Sequence, residues 1–187
     1  MNTSNIAAYY WNNSNRTSST NTWSESRLNT TNLNSSYLSY IGTTWSNKIA
    51  THTWKVGGMA YNNSYTAKQY YDVEVGSSSS STTDPMKIGL MYVSDYGFAA
   101  SNSYWTTNMS SYDSANNNNW LYMGLSEWTI SRSSSGSSYA FRVYFAGGLH
   151  SLKVYNNSYA VRPAFYLTSS TTYVSGSGTS SDPIRIN

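Results

Sequence analysis

Tyr139 to Val154 is the segment that most restricts the fold: YAFRVYF, then AGG, then LHSLKV. A strand alternates its side chains between two faces, which sets Phe141, Val143 and Phe145 on one side and Arg142 and Tyr144 on the other. The first side is expected to be core, through Phe141 and Val143 above all. Gly147-Gly148 supplies the backbone angles of a tight turn, so Leu149 to Val154 returns as the partner strand of a hairpin. Arg142 and Tyr144 then face outward. Trp128-Thr129-Ile130-Ser131 before the hairpin and Tyr159 to Leu167 after it read as further strands. Pro163 cannot donate to a ladder, which marks the last of these as an edge or bulged strand.

Taken from its start, the chain opens with a polar stretch, 1–21, in which Tyr9-Tyr10-Trp11 is expected to lay one short strand against the domain. Thr22-Trp23-Ser24-Glu25 has the spacing of a capping box, in which a Thr hydroxyl and a Glu carboxylate each satisfy an amide at a helix start. Leu28, Leu33, Tyr37, Leu38 and Ile41 keep near-helical spacing, but the Asn, Thr and Ser between them divide the run into two short helices. Gly42 ends the second. Trp45 to Ile49 forms an apolar turn, Thr51 to Val56 a β-branched strand, and Lys87 to Val93 a continuous apolar strand of central type. Gly76 to Asp84 is a low-complexity Ser-rich surface loop, and 101–119 a long polar loop that carries Trp105. A glycine turn at 176–178 precedes a short closing strand through Ile184 to Ile186. These elements describe an α+β domain with small, twisted, mostly antiparallel sheets.

The 187 residues fit one domain, spanning 1–187, and a domain of this size removes about 70% of the unfolded chain's surface from water. Its core must rest on rings, since 19 Tyr and 7 Trp stand in a chain that is only 39% hydrophobic. Charged residues amount to 10%, and the eleven Lys and Arg are scattered rather than striped. Such a chain lacks the basic footprint that phosphate neutralisation requires, which argues against nucleic acid as a partner. The absence of cysteine excludes disulfides, thiolate metal sites and cysteine nucleophiles together. No run reaches membrane-spanning length, and Met1-Asn2-Thr3-Ser4-Asn5 has no leader character, so an exported protein would carry its leader upstream. The Asn-x-Ser/Thr triplets at Asn12, Asn29, Asn62 and Asn156 are expected by chance in so Asn- and Ser-rich a chain.

WSESRLNTTNLNSSYLSYIGTTWSNKIATHTWKVGG, KIGLMYVSDYGFAAS, NNWLYMGLSEWTISR, AVRPAFYL and SGSGTSSDPIRI together resemble exported proteins of Gram-positive gut bacteria with a C-type-lectin-like fold, related to the sulfatase-modifying-factor type. The resemblance covers most of 20–187. It implies a two-helix, loop-rich lectin-like fold whose late hairpins and loops display variable side chains, in modules of display or adhesion, some attached to pilin-like N-termini. The Glu-Pro-Asn, Gln-Pro-Asp and Trp-Asn-Asp triplets of calcium-dependent lectins are absent, as are the cysteines of formylglycine-generating enzymes.

No metal site is expected. The eight acids are dispersed, and a hard cation needs six to eight oxygens. Asp72 and Glu74 read as a solvated strand face, and Asp95 as a turn cap. Of the two histidines, His52 lies in a Thr-rich strand and His150 in the hairpin; no nucleophile, acid pair, phosphate loop or zinc motif accompanies them, so no catalytic residue and no cofactor is assigned. The positive signal is compositional: Tyr, Ser, Asn and Gly with some Trp and Arg is the palette of antibody contact loops, where rigid rings give contact area at low entropic cost. The expected ligand face is Arg142, Tyr144, Phe145, His150, Lys153 and Tyr155, with Trp105 from the long loop. The function this suggests is a calcium-independent ligand-binding or adhesion domain on the bacterial cell surface, taking a protein or glycan. The alternative is the head of a pilus-like or surface-layer subunit, self-assembling through a hydrophobic segment upstream of Met1. A divergent enzyme would instead gather Asp95, His150 and Arg162 in one pocket.

Overall fold

The computed structural model describes residues 7–12, 19–61, 64–76, 85–113 and 117–187. Its central strand, β3 (Glu127–Ser133), pairs antiparallel with β4 (Tyr139–Val143), which pairs with β5 (Leu149–Lys153). The expected hairpin is present. Gly147 supplies the left-handed backbone at φ 103°, and the Tyr144 amide donates to the Gly148 carbonyl at 2.7 Å. The other edge of β3 departs from the antiparallel expectation: β1 (Gly58–Met59) and β6 (Ala160–Val161) both pair with it in parallel, at opposite ends. A parallel pair requires a long crossover. Between β1 and β3 that crossover carries α2 (Ala67–Glu74) and α3 (Val93–Phe98).

Both faces of this sheet are buried. Phe141, Val143 and Leu149 pack with Tyr70, Val93, Tyr96 and Met109 under α2 and α3. Trp128, Ile130 and Ala140 pack on the opposite side with Trp11, Trp23, Leu28, Trp54 and Ile88. The N-terminal segment closes that second side: Tyr9 and Tyr159 exchange backbone hydrogen bonds at 2.9 Å. The Trp11 indole N–H donates to the Thr129 carbonyl at 2.9 Å, and that of Trp128 to the Tyr9 carbonyl at 3.0 Å.

The expected N-terminal helices form, though not from the expected cap. Thr22 makes no side-chain cap bond and Trp23–Glu25 is only a 3₁₀ turn; instead the Ser26 hydroxyl accepts the Asn29 amide at 3.1 Å. A π-helix, Leu28–Tyr37, then runs into α1 (Leu38–Ser46), broken at Gly42 (φ 76°, ψ 168°), a conformation almost confined to glycine. The sequence reading omitted α2, whose Thr66 and Gln69 form a capping box with the Thr66 amide donating to Gln69 Oε1 at 2.9 Å.

Three expected strands shrink. Of Lys87 to Val93 only β2 (Gly89–Leu90) is strand, because Asp95 accepts the Tyr92 amide at 2.8 Å and starts α3 instead. Thr51 to Val56 keeps only isolated bridge positions at His52 and Lys55, the first paired with Met86. Tyr159 to Leu167 splits between β6 and β7 (Pro163–Ala164); among the described residues β7 pairs only with β2, so Pro163 does sit on an edge. The chain closes with the hairpin β8 (Tyr173–Ser175) and β9 (Arg185–Ile186). The Ser-rich loop falls almost wholly outside the described residues, as does Asn62. Asn12 and Asn29 are buried, while Asn156 is exposed.

Candidate functional site

β4 stops at Val143, so Tyr144 and Phe145 belong to the hairpin turn. The Tyr144 ring is held on three sides: Phe145 at 4.1 Å, His150 at 4.9 Å and the Arg142 guanidinium at 4.8 Å. The turn is tied down from behind. Ser126 Oγ accepts from Arg142 Nη1 at 2.8 Å and from the Phe145 amide at 3.2 Å, and the Tyr122 hydroxyl donates to the Phe145 carbonyl at 2.5 Å. Phe145 is half exposed at 53%, and Tyr144 and His150 are partly exposed around it.

Arg142 corrects the sequence reading. The alternation holds, with Phe141 and Val143 on one face and Arg142 on the other, but that other face is covered and Arg142 is only 7% exposed. Its guanidinium lies 4.5 Å from the Tyr159 ring, and its Nε has no partner among the described residues. Burial pulls its pKa below the ordinary arginine range. The same burial, and then the Arg142 charge, pull His150 below its usual value. Phe145, expected beside Phe141 and Val143, has left the strand and points outward.

The remaining expected contacts do not join this tip. Lys153 sits 5.8 Å over Tyr155 as a separate pair, both half-buried. Trp105 packs edge-on against Phe98 of α3 at 5.3 Å and donates its indole N–H to the Ala100 carbonyl at 3.0 Å. Asp95, His150 and Arg162 form no common site: Asp95 caps α3, His150 rests on Tyr144, and Arg162 pairs with Glu127 at 3.0 Å. Burial nevertheless raises the Glu127 carboxyl, with Arg162 working against the rise.

Asp72 and Glu74 lie on a helix, not a strand. Asp72 pairs with Lys68, one turn earlier, whereas Glu74 is buried and accepts hydrogen bonds from Val93, Ser94 and Ser131. Among the described residues no three His, Cys, Asp or Glu side chains gather as a metal group, and no helix is long and apolar enough to cross a membrane. The sequence reading also missed an apolar groove of about 350 Å³ between α1 and the chain's last segment. Its walls include Ile41, Trp45, Ile49, Phe165, Leu167 and Ile186. Trp45, Phe165 and Leu167 are 53%, 43% and 44% exposed there. Phe165-Tyr166-Leu167 signals this in sequence, since three large apolar residues in a row cannot all face one core. Comparison with models of known families, with curated proteins and with solved structures finds no match for this chain.

Proposed function

We propose that this chain is a non-catalytic, extracellular ligand-binding domain of C-type-lectin-like fold, and that the tip of the β4–β5 hairpin takes a protein or glycan without calcium. The observation that carries the reading is the clamped Tyr144 ring, with Phe145 exposed beside it. A ring already fixed by neighbours loses little entropy on binding, and a partly exposed aromatic pair offers an apolar contact with the polar groups of His150 and Tyr122 close by. Arg142 serves this tip from beneath, as a brace for Tyr144 rather than as a contact. Binding of the purified chain to glycan arrays and surface-protein panels, with and without EDTA, tests the proposal. A chelator-resistant ligand lost in Tyr144→Ala and Phe145→Ala supports it. A ligand that both variants retain, or one that EDTA removes, rejects it.

A second reading has its own observation. The exposed apolar groove at Trp45, Phe165 and Leu167 suits a head domain packing on neighbouring subunits, with Ile184, 52% exposed, and Val174, 58% exposed, on the same terminal segment. Under that reading sedimentation shows association that rises with concentration and disappears in Trp45→Lys.

A further inference from the structure

A pocket separate from the hairpin tip, about 400 Å³ in volume, is walled by Trp54, Tyr71, Tyr92, Phe165 and Tyr166, with Asp95 as the one charged lining residue among those described. Its size lies near the lower end of small-molecule sites. Trp54 and Tyr92 are buried and therefore fixed, while Tyr71, Phe165 and Tyr166 form an exposed rim. The Trp54 ring centre stands 5.5 Å from Tyr166 and 6.3 Å from Tyr92, inclined at 44° and 43°, so these rings splay around the hollow instead of stacking closed. His52 supports Tyr166 from 4.2 Å.

The electrostatics of this pocket are one-sided. Asp95 uses Oδ2 for the Tyr92 amide, and its Oδ1 carries no hydrogen bond among the described residues. It forms no ion pair among them. Glu74, near enough for a charge there to oppose that of Asp95, is held protonated by its burial up to about pH 7, which leaves Asp95 as the acid that sets the sign of the hollow. The neighbouring ammonium, Lys55, is held on the Val75 and Gly76 carbonyls at 2.9 and 3.5 Å and is not among the lining residues described. Aromatic faces add negative potential of their own. The site is a negative, ring-walled hollow on a chain whose net charge is +3.

From the ring walls and the unshared Asp95 oxygen, we propose that the pocket binds a quaternary trimethylammonium group, the cation of choline. A primary ammonium brings three N–H donors and would leave some unpaired against ring faces, whereas a trimethylammonium has none and spreads its charge over methyl groups that rings contact directly. A sugar needs several matched donors and acceptors, and the Tyr92 hydroxyl is already committed to the Lys55 carbonyl at 2.8 Å.

Calorimetric titration of the full chain with choline chloride, and with 3,3-dimethyl-1-butanol as its uncharged isostere, tests the charge directly. Choline should bind at least tenfold more tightly than the isostere. Asp95→Asn, which keeps an oxygen for the Tyr92 amide, and Tyr166→Ala, at the exposed rim, should each weaken choline about tenfold, while Tyr144→Ala should not. Equal binding of the isostere, preference for a monosaccharide panel over choline, or no choline response up to about 100 mM in a folded sample overturns the proposal. Phosphatidylcholine vesicles beside phosphatidylglycerol vesicles identify the source: retention on the former assigns a lipid headgroup, and binding of choline without retention assigns a free ligand. The tip variants leave these titrations unchanged, so failure here is distinct from failure of the hairpin as a ligand site.

Discussion

The Glu74 carboxylate accepts the backbone amide of Ser94 at 3.0 Å, joining the last turn of α2 to the first turn of α3. The Val93 amide at 3.1 Å and the Ser131 hydroxyl also donate to it, so one buried acid holds two helices and β3 together. The acid answers amides that have no partner within the helix at its start and is favoured by their partial positive charge. Its burial still dominates, and desolvation pushes the carboxyl up to about 7.

That shift sets a pH dependence. Between the ordinary value of 4.5 and about 7 the folded chain holds the proton and the unfolded chain has released it, so stability falls as pH rises across this window and then levels. The full shift corresponds to about 3 kcal/mol. Glu74→Gln cannot ionise, so thermal melts of both proteins between about pH 5 and pH 8 should show the wild-type curve falling relative to the variant. Parallel curves would mean that Glu74 titrates normally. Glu74→Ala should cost about 2 to 4 kcal/mol near pH 5 and less as pH rises toward 8, since it takes the acceptor from the Ser94 amide and the Ser131 hydroxyl.

His150 contributes with the opposite sign. Burial and the Arg142 charge depress its pKa below the ordinary 6.5, so its share of the stability declines as pH falls below that value. NMR titration of the His150 ring should give a value under 6.5 that climbs part of the way back in Arg142→Met. A wild-type value at or above the ordinary one rejects the environment described for this face.

Arg142 itself should matter more to stability than to recognition. Its removal leaves the Tyr159 and Tyr144 rings without their shared neighbour and takes one of two donors from Ser126 Oγ. Urea unfolding of Arg142→Ala should show a loss of about 2 kcal/mol, and Arg142→Lys should recover only part of it, because an ammonium cannot stack as a planar fork does. Tyr144→Ala, partly exposed, should lose about 1 kcal/mol or less. A harmless Arg142→Ala would restore the outward-facing strand that its alternation alone suggests.

The hairpin was legible because Phe141, Val143 and Gly147-Gly148 each carry a local signal. The fate of Arg142 was not, because Tyr159, which covers its guanidinium, lies beyond the hairpin and is held in place by its bridge to Tyr9, 150 residues earlier. Asn side chains hid a second part of the fold. Asn34 accepts the Lys87 and Ile88 amides at 3.1 and 2.9 Å and donates to the Ile88 carbonyl at 2.8 Å, doing for that backbone what a neighbouring strand would do. Asn21 reaches the Ser133, Gly136 and Tyr139 carbonyls at 2.7 to 3.1 Å in the same manner. In sequence such residues read as loop filler, so strands came out too long, and of helix α2 only Asp72 and Glu74 were read, as a strand face. Tyr144, Phe145 and His150 could be picked out as a group within one hairpin. Trp54, Tyr92, Asp95 and Tyr166 could not, since they meet only after three separated segments have folded.

Gly89 and Gly42 separate two reasons for needing glycine. A Cβ on Gly89 would lie 2.8 Å from the Trp54 ring, which is buried and cannot swing aside cheaply. Gly89→Ala should therefore lose about 1 to 3 kcal/mol by overpacking and displace Trp54. A Cβ on Gly42 meets nothing within 4 Å, so Gly42→Ala should lose a similar 1 to 3 kcal/mol purely through its backbone angles. Chemical denaturation measures both losses, and tryptophan fluorescence of the folded proteins tells them apart. Gly89→Ala should shift the emission and weaken choline binding where Gly42→Ala leaves both unchanged. If Gly89→Ala keeps wild-type emission and stability, Trp54 has room to move, and the rigid inner wall assigned to the aromatic pocket is lost with it.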